Sequence, residues 1–391
     1  MNQKYMPNKI RFLFLISLAL FVLHSGALAQ PRQAASIVHD IHKIKSKSVS
    51  EERTILVHLP ANYLKTNKKY PVIYMLDGHY PQPGMMGAIL DQQAWGYQIP
   101  EMILVSIQNT DRSRDLTPTD DGKGGSVGGG SKFLDFIEKE LIPLIEKKYR
   151  TEPYRIFAGH SLGGLTVVYA LASRPDLFNA YIAASPVLHF HKDFVIEETE
   201  KLFEAENTLD KTIFLGLGNE PEYKNGWNRF KKLLKNKKPK NFDYEFREFP
   251  TDNHASVVMP VYYAGLRKIF EDWIPRQNGS VVDLERHYKK LTKKYGYEIL
   301  IPEATLNQIG YQFLRTGKKL EAIKVFKKNA ENYPDSANVY DSLGDAYEKN
   351  GSTERARENY EKAYKLALKN GDTRLATVFK SNLTRVSKKL R

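Results

Sequence analysis

The sequence contains no cysteine among its 391 residues. This excludes disulfide bonds, thiolate metal sites, cysteine nucleophiles and lipoprotein anchoring, which needs a cysteine after the cleavage site. After the N-terminal region no apolar run is long enough to cross a bilayer. The net charge is +14, but its lysines are not interleaved with stacking aromatics in any nucleic-acid-binding motif. We therefore expect no nucleic-acid partner and no metal or organic cofactor.

The N-terminus has the composition of a secretory signal peptide. Three basic residues precede the apolar segment 12–23, and an A-x-A cleavage site ends at Ala29. The sequence thus predicts a signal peptide over 1–29 and a periplasmic or secreted mature protein without a transmembrane span. An uncleaved membrane anchor is the alternative, although the apolar run is short for a bilayer span.

Strand-like and helix-like segments alternate between residues 30 and 275, which we interpret as one domain. Continuous apolar runs are typical of strands buried on both faces, and their alternation with helices predicts a mostly parallel sheet. A kink is expected at Pro143, and Ser131 is expected to cap its helix. The predicted strands cover 53–60, 71–76, 102–107, 155–158, 180–184, 212–217 and 244–249, and the main predicted helices cover 131–149 and 254–273.

The pattern changes after a helical connector predicted over 276–302. Glycine, alanine and aromatic residues then recur 34 positions apart, which is the tetratricopeptide period. The sequence predicts an all-α domain over 303–391, with repeats at about 303–336 and 337–370 and a cap helix after them. Binding of a protein partner, packing on the preceding domain and self-association are all open roles for the repeats. The matching pairs are Gly310 with Gly344, Phe313 with Tyr347, Ala322 with Ala356 and Phe326 with Tyr360.

A Gly-x-Ser-x-Gly pentapeptide lies between the strand that ends near Ala158 and a helix-like segment. Strand, sharp turn and helix form the context of a nucleophile elbow, in which the turn exposes a serine hydroxyl at the edge of the sheet. The sequence therefore predicts Ser161 as the nucleophile of an acyl-transfer site.

A serine nucleophile needs a base and a group that orients the base. The predicted strand 212–217 is followed by Glu220, which we predict as the acid, with Glu222 as the alternative. Asp210 and Asp252 are more distant alternatives.

His254 follows the last predicted strand, where it can reach the serine, and we predict it as the general base. His160 adjoins the serine in the chain, so we expect its side chain to point away and to support the turn. His189 and His191 resemble half of a metal site but lack a third ligand at a recognisable spacing. We place them in a loop that flanks the pocket.

Backbone amides are expected to bind the oxyanion of the tetrahedral intermediate. The amide after the nucleophile, that of Leu162, is one predicted donor. The second is expected from the loop after the strand that ends at Leu76, which means Gly78 or His79.

Residues 50–275 resemble the esterase D-like group of α/β-hydrolases. This group includes siderophore esterases of the enterobactin and salmochelin type, feruloyl esterases, S-formylglutathione hydrolases and mycolyltransferases. The resemblance implies an α/β-hydrolase fold, a serine esterase with Ser161, Glu220 and His254 as its triad, and pocket residues among Arg112, Arg114, Ser185 and His189. The matching pieces are Met75-Leu-Asp-Gly78, Arg112-Ser-Arg-Asp-Leu-Thr-Pro118, Gly159-His-Ser-Leu-Gly-Gly164, Ser185-Pro186 and Asp252-Asn-His254.

Several functions share these residues. An esterase acting on a small-molecule ester, with a siderophore trilactone or a feruloyl or acetyl ester of a carbohydrate as substrate, fits the sequence best. An acyltransferase would use the same catalytic groups. A protein that interacts through its repeats and keeps a relic hydrolase fold is the alternative outside enzymology.

Overall fold

The computed structural model describes residues 39–79, 81–120, 122, 124–275 and 280–390. The predicted signal peptide lies outside these residues, as does 276–279 of the predicted connector. Within the described residues, no helix combines the length and apolar character needed to cross a membrane. The chain divides into two compact units: a sheet unit, made of residues up to Ala94 with Glu101–Thr151 and Ile156–Gly265, and a helical unit, made of Trp95–Pro100, Glu152–Arg155 and Leu266–Arg391.

Eight strands among the described residues form one sheet. Its central strands are the continuous apolar runs of the sequence, and every residue of 70–75, 103–107, 180–184 and 212–217 is buried. The strands are β1 (His39–Ser46), β2 (Glu51–His58), β3 (Tyr70–Met75), β4 (Ile103–Ile107), β5 (Thr151–His160), β6 (Ala180–Ala184), β7 (Thr212–Leu217) and β8 (Asp243–Glu248).

The strand order is β1-β2-β4-β3-β5-β6-β7-β8. β1 and β4 each pair with β2 in antiparallel register, whereas β3–β4, β5–β6, β6–β7 and β7–β8 are parallel. The predicted mostly parallel sheet is confirmed. Because parallel strands end at the same edge, the segments after β3, β5, β6, β7 and β8 meet there.

Helices flank the sheet, and several of them were not predicted. A short helix follows β4, and two longer helices follow β6 and β7. The helices are α1 (Gln82–Trp95), α2 (Arg112–Leu116), α3 (Gly130–Phe136), α4 (Ile142–Lys148), α5 (Leu162–Ser173), α6 (Phe194–Ala205), α7 (Lys224–Lys237) and α8 (Val258–Ile269).

The kink expected at Pro143 takes the form of a π-helical turn. The turn covers Ile137–Leu141 and separates α3 from α4, which has Pro143 in its first turn. A proline has no amide hydrogen to donate, and the first turn of a helix needs none. Ser131 does not cap this helix, because α3 already begins at Gly130 and its N-cap is Gly129.

The helical unit contains the predicted repeat pattern. A Cβ atom added at Gly344 would lie 2.7 Å from the buried ring of Tyr360, and one at Gly310 would lie 2.5 Å from the ring of Phe326. Each glycine therefore makes room for the aromatic residue 16 positions later, which explains why both recur together. The helices are α9 (Val281–Tyr295), α10 (Glu303–Arg315), α11 (Lys319–Asn332), α12 (Ala337–Lys349), α13 (Thr353–Lys369) and α14 (Thr373–Ser387).

Candidate active site

Ser161 occupies a sharp turn between β5 and α5. Its backbone angles are φ 60° and ψ −116°, a conformation that L-residues rarely adopt. A Cβ on Gly159 would collide with the carbonyl group of Gly163, and one on Gly164 would lie 3.0 Å from the carbonyl oxygen of Ala184. The flanking glycines thus allow the backbones to approach closely enough for the turn to form.

Glu220 lies just beyond β7 and is the acidic side chain that contacts His254. Its side chain is 2% exposed. Oε1 faces Nδ1 of His254, while Oε2 accepts hydrogen bonds from the Gly218 amide, at 2.9 Å, and from the Ser185 hydroxyl. Two of the alternative acids are engaged elsewhere, because Asp210 accepts from Asn241 and Asp252 accepts from Ser256. Glu222, the other alternative, is exposed.

His254 lies in a turn between β8 and α8. The helix begins at Val258, four residues later than predicted, so His254 is in the loop that precedes it. The Asn219 amide donates to the Asp252 carbonyl at 2.7 Å, which ties the loop of the acid to the loop of the histidine. Nδ1 is directed at Glu220, so Nε2 is the ring nitrogen that this carboxylate leaves free.

The imidazole ring of His254 has two aromatic neighbours that the sequence reasoning missed. The centroid of the His160 ring lies 4.4 Å away, so the expectation that His160 points away is wrong. Burial, followed by the nearby His254, lowers the pKa of His160 to about 4, which keeps it neutral at physiological pH. The Tyr223 ring stacks on the His254 imidazole, with the ring centroids 5.4 Å apart and the ring planes at 28°.

The three amides expected to bind the oxyanion differ in their hydrogen bonding. Leu162 is the first residue of α5, and the first amides of a helix have no partner within the helix. The Gly78 amide donates to the carbonyl of Ile107 at 2.8 Å, so the prediction of Gly78 as a donor is wrong. The amide of His79 donates to the carbonyl of Asp77, only two residues earlier, and stays a prediction.

A cavity of about 340 Å³ lies beside His160. Arg112 lines it, as predicted for a pocket residue, but its guanidinium is held by Asp77, with Nε–Oδ1 at 2.6 Å and Nη2–Oδ2 at 2.9 Å. The cavity wall therefore carries an internal ion pair rather than a free cation. The lining residues are Asp77, His79, Pro81, Gln82, Asn109, Arg112, His160, Val258 and Tyr262.

Arg114 belongs to a partly buried ionic cluster instead of the pocket. Its guanidinium contacts Glu51 at 2.7 Å and Asp115 at 2.7 Å. The same two carboxylates bind Arg53, whose side chain is fully buried and lies 5.3 Å from the centre of the Phe133 ring. The second arginine and the aspartate of the Arg-x-Arg-Asp piece are thus structural, and the pocket prediction for Arg114 is wrong.

Ser185 and the two loop histidines also differ from expectation. Ser185 is fully buried and donates to Glu220, so it supports the acid and does not line a pocket. His189 is exposed, with its ring edge-on to Tyr223 at 5.3 Å, and Nδ1 of His191 lies 2.7 Å from the Thr119 hydroxyl. Among the residues that the structure describes, no group of three histidine or acidic side chains is arranged to hold a metal ion.

The sequence matches a known family over the region that builds this site. The model of the family described as "Putative esterase" matches residues 46–255, more than half of the chain. The chain belongs to this family. It is a carboxylic ester hydrolase, and the α/β-hydrolase resemblance is confirmed. A tetratricopeptide-repeat model matches residues 337–370, which confirms the kind of repeat that the 34-residue period predicts.

Named relatives and solved structures agree with this family. The chain is 32% identical over 233 residues to the ferri-bacillibactin esterase BesA of Bacillus subtilis, which covers 51% of this chain and 78% of that protein. It is 27% identical over 257 residues to the siderophore triacetylfusarinine C esterase of Aspergillus fumigatus, covering 54% and 84%. The crystal structure of an IroE-like serine hydrolase from Shewanella oneidensis aligns with a TM-score of 0.67 and 28% identity, covering 75% of this chain and 99% of that one.

Proposed function

We propose that this chain is an exported serine esterase that works through Ser161, His254, Glu220 and an acyl-enzyme. The observation that carries the proposal is the buried Glu220 carboxylate facing Nδ1 of His254, next to a serine on a strained strand–helix turn. A buried carboxylate at Nδ1 fixes the tautomer that leaves Nε2 free to accept a proton.

In the proposed mechanism, His254 Nε2 takes the proton of Ser161, and Oγ attacks the ester carbonyl carbon. The amides of Leu162 and His79 stabilise the oxyanion, and Glu220 stabilises the imidazolium. The alcohol leaves with the proton from His254, and water then releases the acid from Ser161. For the His79 amide this requires turning away from the Asp77 carbonyl when substrate binds.

The proposed substrates are siderophore-type esters. Two relatives named as siderophore esterases, at 32% and 27% identity, support this class. Export is proposed from the basic and apolar pattern of residues 1–29.

The test is hydrolysis of p-nitrophenyl acetate, a siderophore trilactone and a feruloylated sugar by the mature protein. Ser161→Ala should abolish turnover of every ester and labelling by a fluorophosphonate. Glu220→Gln should lower kcat about 10³-fold or more, because the imidazolium loses its counter-charge and the correct tautomer is no longer fixed.

Glu222→Gln is the matched control and should leave kcat within about twofold of wild type, since it removes an exposed charge. Near-normal activity of Ser161→Ala would refute the serine mechanism. Faster hydrolysis of the feruloylated sugar than of the trilactone would refute the substrate class alone.

A further inference from the structure

Asp77 begins the loop that carries the His79 amide, one of the two proposed oxyanion donors. Its φ is 56°, a left-handed conformation that aspartate adopts more often than most residues with a side chain. Oδ1 accepts hydrogen bonds from Nδ2 of Asn109 at 2.7 Å and from Nε of Arg112 at 2.6 Å, and Oδ2 accepts from Nη2 of Arg112 at 2.9 Å. One carboxylate therefore joins the loop after β3 to the segment after β4.

Arg112 extends this connection to the turn that holds the nucleophile. The same Nη2 donates to the carbonyl oxygen of His160, the residue before Ser161, at 3.3 Å. A Cβ atom added at Gly163 would lie 3.2 Å from Oδ2 of Asp77, so the carboxylate also lies against the first turn of α5. Because a guanidinium is a rigid planar fork, the contacts of Arg112 fix Asp77 and the His160 carbonyl relative to each other.

Asn109 holds the far end of the same loop. Its backbone amide donates to Nε2 of His79 at 3.1 Å, while its side chain donates to Asp77. The loop is thus attached at both Asp77 and His79. Donors of an oxyanion hole act because they are fixed before the charge develops, so their placement relative to the nucleophile decides how much they contribute.

We propose that Asp77 is a positioning residue, whose carboxylate holds the oxyanion loop beside the Ser161 turn through Arg112 and Asn109. The assignment rests on the proposed serine mechanism. Asp77 acts through the loop and not on a reacting atom. A glycine at this position would relieve the strained backbone, but it would remove every hydrogen bond of the carboxylate.

The contribution of Asp77 should appear in the transition state and not in the binding of substrate. Negative charge reaches the oxyanion hole only when the tetrahedral intermediate forms, so a misplaced loop weakens the binding of that species alone. The His79 amide still has to turn from the Asp77 carbonyl to the substrate. A loop attached at both ends limits that movement to the peptide groups between them.

The experiment compares wild type with Asp77→Asn in the full chain. Asparagine has the same size and tolerates the left-handed conformation, but it is uncharged and has one acceptor oxygen where aspartate has two. Two inhibitors of one skeleton separate the two states, because a trifluoromethyl ketone forms a tetrahedral adduct with a serine and the corresponding alcohol cannot. We expect kcat/KM for p-nitrophenyl acetate and the affinity for the ketone to fall together by about 10-fold to 100-fold, while the affinity for the alcohol stays within about twofold.

Asp135→Asn is the matched control, because it removes a partly buried carboxylate that pairs with Arg174 at 2.7 Å in another part of the sheet unit. All three constants should stay within about twofold of wild type. Circular dichroism checks that each variant is folded.

Arg112→Lys tests the same connection and decides the question where Asp77→Asn fails to fold. Lysine keeps the positive charge of the cavity wall, but a single ammonium lacks the fork that holds the carboxylate and the His160 carbonyl together. The same pattern of losses is expected. The double variant should lose no more than about twofold beyond the larger single loss, since both changes break one connection.

Wild-type kinetics in a folded Asp77→Asn or Arg112→Lys protein would overturn the proposal, and so would losses that multiply in the double variant. Equal losses of affinity for the ketone and the alcohol would also overturn it, because the ion pair would then bind substrate. Ser161→Ala tests the underlying mechanism separately. Retained activity there would refute the serine mechanism, whereas an inactive Ser161→Ala beside an unaffected Asp77→Asn would refute the role of Asp77 alone.

Discussion

The edge of the sheet and the helical region 280–390 use positive φ angles in opposite ways. After the neighbouring strands β3, β5 and β6, the residues with positive φ are not glycine: they are Asp77 at 56°, Ser161 at 60° and Ser185 at 40°. Among the described residues of 280–390, positive φ occurs at glycine alone: Gly296, Gly317, Gly351 and Gly371.

The difference reflects what each backbone position has to supply. Asp77 holds Arg112, Ser161 is the proposed nucleophile, and Ser185 holds Glu220, so each strained position at the sheet edge needs its side chain. Strain of this kind costs of order 1–3 kcal/mol per residue and persists where the surrounding structure enforces it. The helical region only has to end its helices, and glycine adopts the left-handed conformation after a helix at little cost.

We predict the largest loss of stability where a glycine of one repeat helix packs against an aromatic ring of the next helix. Gly344→Ala places a methyl group 2.7 Å from the ring of Tyr360, which is fully buried. We expect a loss of about 1–3 kcal/mol, typical of overpacking. Thermal unfolding followed by circular dichroism measures it, with esterase activity recorded alongside.

Gly84→Ala in α1 is the matched control for that change. A Cβ there meets nothing within 4 Å, so the substitution should stabilise the protein by about 0.5–1 kcal/mol through higher helix propensity. Equal effects of the two alanines would show that packing against Tyr360 does not decide the cost.

The next prediction replaces the serine at a positive φ in the sheet unit by glycine, and a glycine at a positive φ in the helical region by alanine. Ser161→Gly should abolish turnover but raise the free energy of unfolding by about 1 kcal/mol, because glycine accepts φ 60° without strain. Gly351→Ala should lower it by about 1 kcal/mol, since alanine is strained at φ 81° although nothing lies within 4 Å of its Cβ. Denaturant unfolding of both variants tests the contrast, and destabilisation by Ser161→Gly would contradict stored strain at the elbow.

The smallest predicted effect concerns Asp341 on α12. Burial raises its pKa to about 6, Asp345 adds to the increase, and a hydrogen bond from Asn382 and the charge of Arg385 oppose it. The folded protein therefore binds this proton more tightly than the unfolded chain does. Stability from this group is complete below about pH 4 and is lost as the pH rises towards 6.

Asp341→Asn mimics the protonated carboxyl and can still accept the hydrogen bond that Asn382 donates at 2.9 Å. Because the Asp341 side chain is partly exposed, we expect the free energy of unfolding of the variant to exceed that of wild type by under about 1 kcal/mol at pH 7. Near pH 4 the two should be equally stable. Melting temperatures between pH 4 and 8 measure this. Parallel curves for wild type and variant would refute the assignment.

Local patterns predicted much of this protein. The continuous apolar runs identified the central strands, because a strand buried on both faces needs apolar residues at every position. The 34-residue period identified the repeat, because each glycine must face the aromatic residue of the next helix. The order of Ser161, Glu220 and His254 along the chain follows from successive parallel strands that end at one edge of the sheet.

Local patterns could not predict contacts between segments that are distant in the chain. The sequence placed Arg114 and Ser185 in a pocket, whereas the folded chain directs them to Glu51, Asp115 and Glu220. The Gly78 amide donates to the Ile107 carbonyl because β3 and β4 are neighbours in the sheet. No local sequence pattern predicts that these two strands pair. Likewise, only the turn after β7 brings the Tyr223 ring onto His254.

By itself the sequence determined the strands, the repeat and the positions where a nucleophile, an acid and a base would follow strands, since these depend on residue type and periodicity. The tertiary structure alone decided which partner each polar group meets. It brought the carboxylate of Glu220, rather than that of Glu222, to His254, and it placed the rings of His160 and Tyr223 beside that imidazole. The physical reason is that hydrogen bonds and ring contacts require distances of a few ångströms, which are set only when separate strands come together.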